Sequence, residues 1–143
     1  MSALFGQSRE DMRRTWLEAW RRGRDGLPVT PLEAQLVDVV RVHPEYHDWL
    51  ERGDDALHAQ FTPEGGVTNP FLHLSMHLSI AEQVSIDQPG GIRQAVDLLA
   101  CRLGSLHEAH HQVMECLGEM VWASQRSGLP PDGVAYLEAV RRR

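Results

Sequence analysis

Apolar residues in this chain recur at the three- and four-residue intervals of helices, and strand-like alternation is nearly absent. Ser8-Arg-Glu-Asp11 is a capping-box-like start, and the stripe Met12, Trp16, Trp20 predicts a first helix to about Arg22, ended by Gly23 and Gly26. Thr30-Pro31-Leu32-Glu33 joins an N-cap threonine, a proline at the first helical position and a glutamate at the third. It opens a second helix running from Pro31 toward Leu50, with Leu32, Leu36, Val39, Val40 and Leu50 on one side. Pro44 interrupts that helix, because proline removes a backbone donor and pushes His43 out of the helical region, so a kink or a fresh start is expected there.

Gly53 to Thr68 reads as a long loop with one turn around Ala56–Gln60. Thr68-Asn69-Pro70 is again a cap followed by an early proline and opens a third helix to about Ser85. After the turn Asp87-Gln-Pro-Gly-Gly91, the pattern from Ile92 to about Ser127 is helical without a proline, predicting one long fourth helix that Gly104 or Gly118 bends. Gly128-Leu-Pro-Pro-Asp132 breaks the chain, and Asp132 caps a short last helix. The expected fold is all-α: a single domain over residues 1–143, an antiparallel four-helix bundle with a short extra C-terminal helix.

Composition supports an ordinary folded domain. At 143 residues, with 42% apolar and 24% charged residues, the chain is long enough to bury about two-thirds of its unfolded surface. The net charge of −6 offers no positive field for polyanions, so nucleic acid is not an expected partner. The N-terminus lacks the apolar core of a signal peptide and no stretch approaches the ~20 apolar residues of a membrane span, which predicts a cytoplasmic protein with no membrane partner. Cys101 and Cys116, placed on one predicted helix, would stand about 22 Å apart and so remain reduced thiols.

The chemistry lies in the histidines. Seven of the eight fall in three clusters, His43-Pro-Glu-Tyr-His47, His73-Leu-Ser-Met-His77 and His107-Glu-Ala-His110-His111. In each the outer pair is four residues apart, which on a helix puts both imidazoles on one face, a turn apart, able to grip one ion. His73 and His77 share their side with Ile80 and Val84. His43 and His47 line up with Leu36 and Val40 if the helix continues through Pro44, and the stripe of the fourth helix is centred near His110. Buried imidazoles are hard to satisfy together, and protonating them all would bury like charges; a cation resolves both problems.

The expected metal ligands are therefore His73 and His77 with His107, His110 or His111, and His47 and Glu115 as further ligands. His43 and His47 can trade roles around Pro44. Zinc needs as few as three or four nitrogen or oxygen ligands, whereas a di-iron centre in a bundle asks for carboxylates from facing helices. Glu108-x-x-His111 is a single short motif of that kind. Haem between paired histidines is a third option. No phosphate loop, nucleophile elbow or Cys-x-x-Cys occurs, so no catalytic residues are assigned and no small-molecule ligand is named.

Leu27-Pro-Val-Thr-Pro-Leu-Glu33, His43-Pro-Glu-Tyr-His47, Thr68-Asn-Pro-Phe-Leu-His-Leu-Ser-Met-His77, Ser85-Ile-Asp-Gln-Pro89 and Met114-Glu-Cys-Leu-Gly-Glu119 are specific in combination. Over nearly its whole length the chain thereby resembles a family of small proteobacterial proteins grouped as a domain of unknown function, which brings no activity with it. A looser, fold-level likeness is to hemerythrin-like metal-binding bundles, which turn histidines and carboxylates inward from several helices. Of their spacing only His111 and Glu115, four apart, is present, which keeps a mononuclear zinc or iron site beside the di-iron one. The leading expectation is a helical metalloprotein. The alternative is a non-catalytic interaction module with structural histidines, whose exposed tryptophans dock a protein partner or a second copy in a homodimer.

Overall fold

The computed structural model describes residues 8–61 and 68–143, and among them the regular structure is helical throughout. The helices are α1 (Arg9–Arg24), α2 (Pro31–Arg41), α3 (His47–Glu51), α4 (Asp54–His58), α5 (Pro70–Ile86), α6 (Ile92–Leu103), α7 (Leu106–Ser127) and α8 (Gly133–Arg142), with a 3-10 turn at Pro44–Tyr46 between α2 and α3. No described helix is long and apolar enough to cross a membrane. The middle of the expected Gly53–Thr68 loop, residues 62–67, lies outside the described residues.

Helix starts follow the capping chemistry. Ser8 accepts from the Asp11 amide, and Thr30 and Glu33 complete a reciprocal box, each side chain accepting from the other's backbone N–H. Asn69 accepts from the Phe71 and Leu72 amides to open α5, and Asp132 accepts from Ala135 to open α8. The second expected helix stops at Arg41 because Pro44 holds His43 in a non-helical conformation, φ −126° and ψ 65°. The turn around Ala56–Gln60 is realised as α4.

The single long helix expected over Ile92–Ser127 is corrected. Gly104 adopts a left-handed conformation, φ 74°, and ends α6; Ser105 then accepts from the Glu108 amide and caps a new helix, α7. A glycine followed by a capping serine stops one helix and starts another, where a glycine alone would only bend it. Cys101 and Cys116 consequently sit on different helices, which removes the one-helix argument for their separation. Both are free thiols, Cys101 exposed and Cys116 buried.

The chain forms two compact units, Met1–Leu78 and Ser79–Arg143. In the first, α1 packs on α2, α3 and α4. Its core is Trp16, Ala19, Trp20, Leu36, Val40, Leu50, Phe71 and Leu74, all buried. The Trp16 indole N–H donates to Ser75 Oγ at 3.0 Å, so a polar atom in this core is satisfied without water. In the second, α6, α7 and α8 pack pairwise on one another, burying Ile92, Val96, Leu99, Val113, Leu117, Tyr136 and Val140. Within it the Tyr136 hydroxyl donates to Gln83 at 2.7 Å. Asp87 braces the α5–α6 corner by accepting from the Gly91 and Arg93 amides, while the Arg93 side chain donates to the carbonyls of Val84 and Ser85 at the end of α5.

Two helical glycines separate packing from propensity. A Cβ at Gly23 would lie 2.7 Å from a Val37 methyl, so this glycine permits the close approach of α1 and α2. At Gly118 a Cβ would meet nothing within 4 Å. Gly23→Ala is expected to destabilise the protein by about 1–3 kcal/mol through overpacking, whereas Gly118→Ala should stabilise it by about 0.5–1 kcal/mol through reduced backbone entropy loss. Denaturant unfolding of both variants checks the opposite signs.

Candidate metal centre

The first histidine group is assembled in the unit Met1–Leu78 by two local rules. On α5, His73 and His77 are one turn apart and their rings meet edge to face at 4.9 Å between centroids. Beside α2, the pre-proline conformation turns the chain at His43, which is completely buried. His43 Nδ1–H donates to the Val39 carbonyl at 2.7 Å. A carbonyl can only accept, so Nδ1 carries the proton, and the neutral ring directs the Nε2 lone pair elsewhere. That Nε2 lies 2.9 Å from Nε2 of His77.

Two aromatic neighbours hold this pair in place. Tyr46, in the 3-10 turn, stacks on His43 at 5.7 Å and 11° and meets His73 edge-on at 5.6 Å. His73 is half-buried and packs against both His43 and His77. Burial pushes the Tyr46 hydroxyl above its ordinary pKa, aided by the nearby Glu45 carboxylate, so the phenol stays neutral.

The second group lies on α7 in the other unit. His107 and His111 are again one turn apart, with ring centroids 4.3 Å apart. A ring nitrogen of each lies within 4.8 Å of the other's, as holds also for His43 and His77. His110 is half-buried on the same helix, and burial holds its imidazole below the ordinary pKa, with His107 and His111 adding to the effect. His110 is thus kept as a neutral ring whose lone pair remains available to an acid or a cation.

The remaining expected ligands lie elsewhere in their surroundings. His47 is half-buried at the start of α3, donates through Nε2–H to the Val40 carbonyl at 2.9 Å and packs against Trp20, the rings tilted by 36° with centroids 4.6 Å apart. Glu115 is exposed on α7 and forms an ion pair with Arg143, which also donates to Gln112 at 3.0 Å. Glu108 is exposed, 3.9 Å from His111 Nδ1. The residue that sequence reasoning left out of the ligand set is His43. The signal was present in Pro44: once the helix ends before the proline, the four-residue spacing of His43 and His47 no longer places them on one helical face.

Fold and geometry define an all-helical protein with paired imidazoles in each of its two units. The chain belongs to the family described as Domain of unknown function (DUF1841), whose profile matches residues 8–142. No curated protein and no solved structure matches it.

His47 serves the corner between α2 and α3, through one hydrogen bond and the Trp20 ring. His47→Ala is expected to destabilise the fold by about 0.5–1.5 kcal/mol, the net worth of one lost hydrogen bond, since the Val40 carbonyl keeps the His43 amide as a donor. A denaturation midpoint unchanged from wild type would show that this corner does not need it.

Proposed function

We propose that this protein binds a transition-metal ion, with His43 and His77 as its first ligands. The observation that carries the reading is the pair of buried Nε2 atoms 2.9 Å apart, one of them on a ring whose Nδ1–H is fixed to a backbone carbonyl. Donation of the second ring N–H to a carbonyl or carboxylate is how metal-ligating histidines are usually oriented. His73 touches both rings and is half-buried, so it is a third ligand or the side from which an exchangeable ligand enters.

Neutral imidazoles ligate both iron and zinc, so both ions fit a site built on this pair. With Glu115 exposed and paired to Arg143, this reading is of a single, histidine-rich ion rather than a carboxylate-bridged di-iron centre. An open coordination position would let the ion bind oxygen or activate water, the basis for a sensor or an enzyme.

The same 2.9 Å separation favours one other reading. Without an ion, His77 Nε2–H can donate to His43 Nε2 and His43 Nδ1–H to Val39, a complete relay that would make the histidines structural in a non-catalytic interaction module.

Element-resolved analysis of untagged protein, purified without chelator, separates the two. The metal reading expects about one ion per chain, lost in His43→Ala and in His77→Ala, with chelation lowering the unfolding temperature by several degrees as a native-state ligand is withdrawn. The sequence expectation that His107, His110 or His111 joins the ligand set is tested by the same assay on His107→Ala and His111→Ala. Protein that carries no metal, takes none up on addition, and gains stability from His43→Leu with His77→Leu would establish the structural relay instead.

A further inference from the structure

The last two turns of α7 lie at the surface on almost every side. Each residue from Val121 to Ser127 except Ser124 is exposed, and Trp122 leaves 59% of its surface open. One exposed indole is ordinary on a folded protein, but its surroundings on this helix are not. At about 100° per residue, Glu115, Glu119, Trp122 and Arg126 fall within about 60° of one another, on the face opposite the buried Val113 and Leu117. The Arg126 guanidinium lies 5.1 Å from the centroid of the Trp122 ring and makes no ion pair among the described residues. Two turns upstream the balance is reversed, since Glu115 and Glu119 share the single guanidinium of Arg143, with Glu119 3.9 Å away from it.

Gly118 stands one turn before Trp122 beside these charges. A Cβ there would meet nothing within 4 Å, and the backbone is not left-handed, so nothing in the isolated chain requires a glycine that a helix interior disfavours. What this glycine supplies is a notch, flanked by Glu115 and Trp122, in which a ring can lie against the backbone. Knob and notch thus occupy adjacent turns of one face, with negative charge before the notch and positive charge beyond the knob. A second α7 laid antiparallel across this face, with the two-fold axis between Met120 and Val121, brings Trp122 of each copy over the Gly118–Glu119 turn of the other. It also sets Arg126 opposite Glu115, whereas a parallel copy would set like charges side by side. This is the self-complementarity that an isologous contact needs.

We propose that this face of α7 is a homodimer contact, in which Trp122 of each copy seats in the Gly118 notch of the other and Arg126 pairs with Glu115 and Glu119 across the two-fold axis. A guanidinium can keep one face on the indole while its edge takes a carboxylate, so Arg126 orders Trp122 before the second copy arrives and less side-chain freedom is lost on docking. Helix ends of this length belong with the small, transient interfaces of under about 1,200 Å². A dissociation constant on the order of 10–100 µM is therefore expected. The contact lies wholly within the unit Ser79–Arg143, uses no histidine and does not depend on metal binding.

Sedimentation equilibrium of the full chain, from roughly 1 µM to 1 mM, tests it. A monomer–dimer equilibrium is expected, weakened about tenfold or more by Trp122→Ala and by Gly118→Gln, which fills the notch, and severalfold by Arg126→Glu. Gly118→Gln puts a better helix former at an open position, so its unfolding temperature at low micromolar concentration, where the wild type is monomeric, should not fall. Loss of the dimer in that variant is then loss of the contact and not of the fold. A chain that stays monomeric to millimolar concentration, or a dimer that either Trp122→Ala or Gly118→Gln leaves unchanged, would overturn the proposal.

Discussion

The constraint on which the histidine geometry depends is the pyrrolidine ring of Pro44. Proline denies α2 its continuation and forces the preceding residue out of the helical region, so His43 leaves α2 non-helical and buried rather than one turn below His47. Its Nδ1–H then falls on the Val39 carbonyl, one of the orphan acceptors at the end of α2. A single bond thus terminates a helix and selects a tautomer. Were the helix continuous, that carbonyl would already be bonded within the backbone, and His43 would have no reason to prefer one nitrogen over the other.

The same economy of backbone acceptors recurs through both units. Arg13 closes α4 and Arg93 closes α5, while His47 adds a second donor to the Val40 carbonyl, which already accepts from the His43 amide near the end of α2. Cationic or donor-rich side chains are drawn to helix C-termini because the last carbonyls lack partners and carry the negative end of the helix dipole. In a chain whose fourteen basic residues are all arginine, this role goes to a planar group that can serve carbonyls along one edge and lie on aromatic rings with its faces. Arg13 does both.

Much of this was legible in the sequence because it is local. The caps at Ser8, Thr30 and Asp132, the stop at Pro44 and the one-turn pairing of His73 with His77 and of His107 with His111 are short-range rules, and each appears in the structure. The division of the expected fourth helix was missed although Gly104-Ser105 was visible, because hydrophobic periodicity persists across a break and outweighed two residues of capping chemistry. Arg13 was overlooked for another reason. Its partners lie more than forty residues away, on α4 carbonyls, and no local pattern distinguishes a buried arginine from its solvated neighbours Arg9 and Arg14. Candidate ligands followed the same division, since pairs within a helix could be read from spacing whereas the meeting of His43 and His77 depends on tertiary packing.

The break at Gly104 also leaves the second unit with two thiols of opposite character. Cys101 is exposed on α6, while Cys116 is buried on α7, where burial pushes its pKa up against the opposing pull of Arg143. An alkylating reagent meets Cys101 as a surface group at all times, but reaches Cys116 only when α7 parts from its neighbours. The interior sulfur is therefore a built-in clock for the breathing of its own helix pack, and the surface one an internal standard for the reagent's intrinsic speed.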